Sequence, residues 1–522
     1  MRPALSIPKS LIGLSSSRRS NDLYLKGLIA LCLLGIFWTL GSLNHDDRIN
    51  ITPEPLTALD IQKNTQAAKY FIKTPVREDE FAEMGRRVHI VTKWLTQLDV
   101  LTNPDVQGLP EFAALLEKTV AALFPFLTHT GSSVDGTPLS SLRKSFIPGS
   151  KGIVIPTGKK TFRYTCHLIY NLRSVLKSTL PIQIVYASDS DLPLEQRTIL
   201  LSLDTNIELL DVTKVLDDST LKLSHGNWAI KPFALLASKF EQVILIDSDA
   251  VFFQPPEVIF SSHSGYRKTG TLFFHDRLVG RGKYESRHQF WRQQMRYRVP
   301  SATFKKSRVM NEGWGQEAES GVVVIDKGRL PVLMGLLHAC WQNTWQVRDK
   351  VTYRQTHGDK ETYWMGMELS GVGYTFAEYY GGALGHAVRN RTTGRTEVCG
   401  STIAHVDERK ELLWLNGGLV RRKDGKEGER VFVDEGFKYW VLGGTGRWRW
   451  TEEGWDMACM EGGTVRGVGG RELDVLGKTV EGAKGADERW GVVMGLVKEK
   501  EKVGVHKDGV ASGVKGGESW DI

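Results

Sequence analysis

QVILIDSDAVFFQPPE, residues 242–257, carries the reading of the whole chain. Four apolar residues in a row, Val243 to Ile246, mark a strand buried on both faces, as in a parallel sheet. The run ends on Asp247-Ser248-Asp249, resumes through Ala250 to Phe253, and stops at Pro255-Pro256. Alternation along an extended chain sends the two carboxylates to one side. Two like charges beside a buried strand are costly unless a cation or hydrogen-bond donors offset them, and carboxylate oxygens suit a hard divalent ion. A turn with one capping aspartate explains many such triplets. Here the apolar runs on both sides favour a site.

Working outward, strands and helices alternate. GIVIPTG (152–158) is a short strand ended by proline and glycine, residues 161–178 read as a helix, and PIQIVYAS (181–188) is a second strand. IELLDV (207–212) is a weaker third. KPFALLASKF (231–240) reads as a helix, with Pro232 in its first turn and Phe233, Leu236, Ala237 and Phe240 on one face. GTLFFHD (270–276) and SGVVVID (320–326) supply two more strands. The expected class is α/β, with a mostly parallel central sheet flanked by helices. In such sheets ligands gather at the carboxyl ends of the strands, where Asp247 and Asp249 fall.

The 522 residues suit one large catalytic domain with appendages, and 41% hydrophobic residues supply its core. A net charge of +8 comes from scattered basic residues without a basic, aromatic-interleaved stripe, so no nucleic-acid partner is expected. Residues 27–43 lack charge and follow Arg2, Lys9, Arg18, Arg19 and Lys26, which predicts a transmembrane signal anchor with a cytosolic tail (1–26) and a luminal remainder. Sequons at Asn50 and Asn390 are compatible with that topology. Cys166, Cys340, Cys399 and Cys459 then share an oxidising compartment, with three pairings open. Residues 44–130 read as a stem and helical region, 150–460 as the catalytic domain, and 461–522 as a glycine-rich, mobile tail unable to bury a core.

Several separate blocks in one order, VILIDSDAVFFQPPE, GIVIPTGKKTFRY, GTLFFHDR, ESGVVVIDK and HGDKETYW, resemble the fungal Golgi alpha-1,3-mannosyltransferase family, glycosyltransferase family 71. The resemblance implies a GT-A-type nucleotide-sugar-binding fold, GDP-mannose as donor, Mn²⁺ as cofactor, a mannose-containing glycoprotein glycan as acceptor, and a Golgi membrane location. It puts Asp247 and Asp249 in the role of metal ligands, joined by His405 from STIAHVDERKELLWLNG (401–417), although a lone histidine is more often structural. Ser248, Lys231 and the loop Pro156, Thr157 and Gly158 are placed beside the nucleotide. A lysine at a helix start opposes the helix dipole, which favours an anion nearby.

For the reacting sugar the candidates are Glu319, Asp359 and Glu361, with Asp359 equally readable as the N-cap of a helix starting at Lys360. His275 and Asp276 are weaker candidates, and Trp314 and Trp364 are possible acceptor platforms. Two alternatives stand beside this reading. One is an alpha-1,2-mannosyltransferase or another retaining nucleotide-sugar transferase; the other is an inactive luminal lectin or assembly subunit.

Overall fold

The structure is a computed structural model. It describes residues 56–496 except 101–105, 129–135, 226, 297, 421–431, 433–436, 444–446, 451–457, 492 and 495. The expected membrane anchor, the cytosolic tail and the Asn50 sequon lie outside the described residues. Among the described residues no helix is long and apolar enough to cross a membrane.

Seven strands build the first half: β1 (Ile147–Pro156), β2 (Ile182–Tyr186), β3 (Ile207–Asp211), β4 (Phe240–Ile246), β5 (Ala250–Phe252), β6 (Thr271–His275) and β7 (Ala318–Asp326). Six of them form one sheet in the order β3-β2-β1-β4-β7-β6. β1 runs parallel to both β2 and β4, and β2 parallel to β3, while β7 is antiparallel to β4 and to β6. The sheet is therefore mostly parallel, and β4 sits where the direction changes. Val243, Ile244, Leu245 and Ile246 are fully buried, as the unbroken apolar run requires.

Helices cover the sheet: α1 (Ala58–Lys73), α2 (Phe81–Asp99), α3 (Leu109–Leu123), α4 (Phe162–Tyr170), α5 (Ile230–Ala237), α6 (Leu330–Gln342), α7 (Thr362–Ser370) and α8 (Gly470–Trp490). α1 opens on a capping box between Thr57 and Asp60. α2 does not stand apart as a stem. Phe81 packs edge-on to Trp341 of α6 at 5.2 Å, and Gly85 lies so near α7 that a Cβ there would come 2.4 Å from the Leu369 carbonyl oxygen. The expected stem region thus contributes to the same hydrophobic core as β4 and α5.

The second half departs further from expectation. Strands β8 (Gly382–Arg389), β9 (Thr396–Val406), β10 (Leu412–Asn416), β11 (Tyr439–Val441), β12 (Arg447–Trp450), β13 (Ala458–Glu461) and β14 (Val465–Gly467) form an antiparallel sheet. β10 pairs with both β9 and β5, so β5, which follows β4 in the chain, belongs to this second sheet and the turn between β4 and β5 links the two. Of the three open cysteine pairings the structure takes Cys399–Cys459, across β9 and β13, and leaves Cys166 and Cys340 buried and free.

The mobile tail expected over 461–522 is corrected in part. Residues 470–490 form α8, which buries Val475, Leu476, Thr479, Val480, Ala483 and Ala486. Asp487 receives Arg163 Nη2 at 2.5 Å and lies 2.8 Å from His167 Nε2, tying α8 to α4. Glycine content had hidden a helical apolar stripe. Residues 497–522 lie outside the described residues.

Candidate active site

β4 delivers Asp247 to the carboxyl end of the sheet, where its backbone N–H donates to the Gly321 carbonyl of β7 at 2.8 Å. A tight turn follows, with Ala250 N–H donating to Asp247 O at 3.0 Å, and the chain leaves as β5 toward the second sheet. Ser248, at the tip of this turn, is buried. The aspartate pair thus occupies the seam between the two sheets.

Beside the turn lies a cavity of about 190 Å³ whose wall includes four carboxylates, Asp247, Asp249, Glu319 and Asp359, and two lysines, Lys231 and Lys360. Lys231, near the start of α5, is 5% exposed. Its Nζ donates to Asp247 Oδ2 at 2.7 Å and stands 3.8 Å from Asp359 Oδ1. Burial alone would push this amine down, but Asp247 and Asp359 more than offset that and hold it above its ordinary value. Burial pushes the Asp247 carboxyl up to about 7, with Lys231 pulling it down and Asp249 adding to the rise.

Lys360 makes a second buried pair. Its Nζ lies 2.9 Å from Asp276 Oδ2 and 3.2 Å from Glu319 Oε2. The Asp276 carboxyl, which burial would raise, is held below its ordinary value by Lys360 and then Arg277. The other Glu319 oxygen accepts from Gly321 N–H and Asn416 Nδ2, each at 2.8 Å, so this carboxylate is fixed from three directions. Four carboxylates against two ammonium groups leave the wall short of positive charge.

Sequence pattern and structure diverge at particular residues. Asp359 lines the cavity and accepts from Tyr363 Oη at 2.8 Å. It is not an N-cap, because α7 begins at Thr362 after Glu361. Glu361 has another task than the one expected of it. Its Oε1 accepts from the backbone N–H groups of Glu317 and Ala318 and its Oε2 from the Trp364 indole at 2.7 Å, so it clamps α7 to β7 away from the cavity wall. Burial raises this carboxyl to about 7.

His405 is 3% exposed, stacks on Trp414 at 4.2 Å, and has no hydrogen-bond partner at Nε2 among the described residues. Burial lowers it to about 4, which keeps the ring neutral. It is not gathered with Asp247 and Asp249. Among the described residues, the one set of three ligand atoms within 4.8 Å of one another is Glu397, Cys399 and Cys459, whose sulfurs are already a disulfide.

Pro156, Thr157 and Gly158 close β1 beside β4 but do not line the cavity. Thr157 bonds to Thr165, and Gly158 lies against the Asp191 carboxylate. His275 stacks between Phe376 and Tyr380 with Nδ1 2.8 Å from Glu317. Trp314 and Trp364 are buried at 6% and 2% exposure, which removes both as acceptor platforms. Sequence reasoning missed Trp228, His357, Lys360 and Asn416, all on the wall.

The charged cavity lies at the carboxyl end of the central strand, where α/β sheets hold their ligands. Residues 150–407 match the family model described as "Mannosyltransferase putative". The chain belongs to this mannosyltransferase family, glycosyltransferase family 71. It is 29% identical over 300 residues to alpha-1,3-mannosyltransferase MNT2 of Saccharomyces cerevisiae, covering 52% of each chain. It is 25% identical over 320 residues to alpha-1,3-mannosyltransferase MNN1 of the same yeast, covering 51% of this chain and 40% of that one. The chain spans about half the length of the curated relatives it matches. Among solved structures, galactosyltransferase LgtC in complex with donor and acceptor sugar analogues aligns at 10% identity and a TM-score of 0.29, covering 43% of this chain and 73% of that one. Mouse xyloside xylosyltransferase 1 aligns at 14% identity and 0.30, covering 44% and 85%.

Proposed function

We propose that the chain is a retaining, divalent-cation-dependent glycosyltransferase of GT-A type. It moves mannose from GDP-mannose to a mannose-terminated glycoprotein glycan and forms an alpha-1,3 linkage, at a Golgi membrane that residues 27–43 anchor it to. The observation that carries this reading is the cavity wall itself, four carboxylates and two lysines at the end of β4 within the family-matched segment.

The donor set fits a hard cation. Asp247 and Asp249 offer carboxylate oxygens on a wall where four carboxylates face two ammonium groups, which suits a hard cation. These two aspartates would hold Mn²⁺, whose chemistry is to stabilise the negative charge of a departing diphosphate as a Lewis acid. His405 has a ligand's chemistry, a neutral ring whose Nε2 has no partner among the described residues, but it is not gathered with the two aspartates that would hold the ion.

The chain's own residues supply orientation and fixed charge. Lys231 keeps Asp247 in place. Lys360 is held charged by Asp276 and Glu319, against the opposing effect of burial, and presents a preorganised cation at the wall. Glu319, pinned by Gly321 and Asn416, and Asp359, pinned by Tyr363, are the carboxylates positioned for the transferred sugar. Glu361 leaves the catalytic set.

The test is GDP release by the full chain from GDP-mannose, with Mn²⁺ or EDTA and with or without a mannoside, followed by linkage analysis of the product. Release that needs Mn²⁺ and rises with the mannoside is expected. No turnover of any nucleotide sugar by folded protein would favour a lectin or assembly role instead.

A further inference from the structure

Of the described residues, the one large apolar side chain that is both exposed and on the cavity wall is Trp228, 47% accessible to solvent. The backbone beside it is bare. Gly358 adopts φ +67°, and a Cβ there would lie 2.9 Å from the indole Cε3, so the ring rests on bare main chain. His357, also exposed and on the wall, stands at 46° to the indole with 5.1 Å between ring centroids. The two rings form an open corner immediately outside the carboxylates.

An exposed indole set against bare main chain is a poor surface residue and a good platform for a ring with an apolar face. The cavity is smaller than the roughly 300–1,000 Å³ that small-molecule sites usually occupy, so a substrate longer than the pocket must continue across its mouth. A pyranose offers one face of C–H groups to an aromatic ring and a rim of hydroxyls to polar neighbours. Here those neighbours are His357 and, deeper in, Asp359 and Lys360. Although the ring is open to solvent on one side, its partial burial and then Lys360 lower His357, leaving its imidazole able to accept from a hydroxyl near pH 7.

We infer that the corner of Trp228 and His357 is the subsite for one sugar ring of the acceptor. This rests on the transferase reading above and assigns the exposed platform to the acceptor saccharide rather than to the nucleobase of the donor.

The experiment uses the full chain as wild type, Trp228→Ala and Trp228→Phe, with mannobiose as acceptor probe and GDP-mannose as donor. Trp228→Ala should raise the KM for mannobiose about tenfold, the scale of a lost aromatic contact with its buried area. The KM for GDP-mannose should move less than twofold, and Trp228→Phe should recover most of the loss. An unchanged mannobiose KM, or a rise in the GDP-mannose KM alone, would overturn the assignment, the latter by placing the base on the indole. Saturation-transfer NMR of mannobiose without donor reads the same contact independently of turnover. If wild type binds mannobiose through Trp228 but never consumes GDP-mannose, the transferase reading fails and the saccharide platform stands. If wild type turns over GDP-mannose but Trp228→Ala keeps the mannobiose signal, the platform fails and the transferase stands.

Discussion

Strand β4 has a buried lysine near each end, and the two are in opposite states. At the Phe240 end Lys327 is 1% exposed, its Nζ 2.6 Å from Ser238 O, 3.1 Å from Ser238 Oγ and 3.2 Å from Leu236 O, and 3.9 Å over the Phe146 ring. Among the described residues no carboxylate lies within ion-pair distance of it. Burial drives this amine well below its ordinary value. At the Asp247 end Lys231 is equally enclosed, but two aspartates hold it charged. Depth alone does not mark a functional lysine; the countercharge does.

The largest expected effect breaks the charged end. Lys231→Met should destabilise the fold by about 3–5 kcal/mol, because it leaves Asp247 and Asp359 without their cation; thermal unfolding of the full chain measures it. Retained stability would mean that the pair is not what holds this end together. Next, Asp249→Ala should lower GDP release about a hundred- to a thousandfold while the melting temperature stays close to wild type. Activity surviving that change would remove the cation site from the seam.

His405 sharpens the comparison at acid pH. A ring whose folded value is lowered to about 4 contributes stability that is present above its unfolded value, 6.5, and is lost as pH falls toward 4. That is about 3 kcal/mol across the window, and His405→Phe, which keeps a ring on Trp414, should flatten this part of the stability curve. The smallest effect lies at the neutral end. Lys327 has a folded value below its unfolded 10.5, so its contribution is complete above 10.5 and declines as pH falls toward the folded value. Wherever pH lies between those values, stability should climb by about 1.4 kcal/mol per pH unit from this group. Lys327→Met should remove that slope in the range just below pH 10.5. Lys231, raised rather than lowered, should contribute none there.

The first sheet was legible because its signals are local. Val243–Ile246 is an unbroken apolar run, and Pro156 and Gly158 stop β1 where the pattern stops. The second sheet was not legible. β8 and β9 interleave Gly382, Gly385 and Gly400 with polar residues, and Gly385 is there because a Cβ would meet the Cys399 carbonyl at 1.8 Å, a reason visible only once the strands pair. The site shows the same division. Asp247 and Asp249 announce themselves by breaking a buried strand, whereas Lys360, Asn416 and Trp228 become meaningful only when the turn before α7, β10 and the turn before α5 bring them to one wall. Glu361 misled because an acid beside a catalytic block looks alike whether it faces a substrate or two backbone N–H groups.

α8 bears on how the protein can be shortened. Composition alone would invite a stop near residue 460, but that cut strips the partner from Arg163 and His167 on α4 and uncovers the Tyr170 ring that Gly482 admits. α4 begins a few residues after β1 ends. A fragment ending at 460 is therefore expected to express poorly and to melt early, and a useful boundary for crystallography or screening lies beyond Trp490.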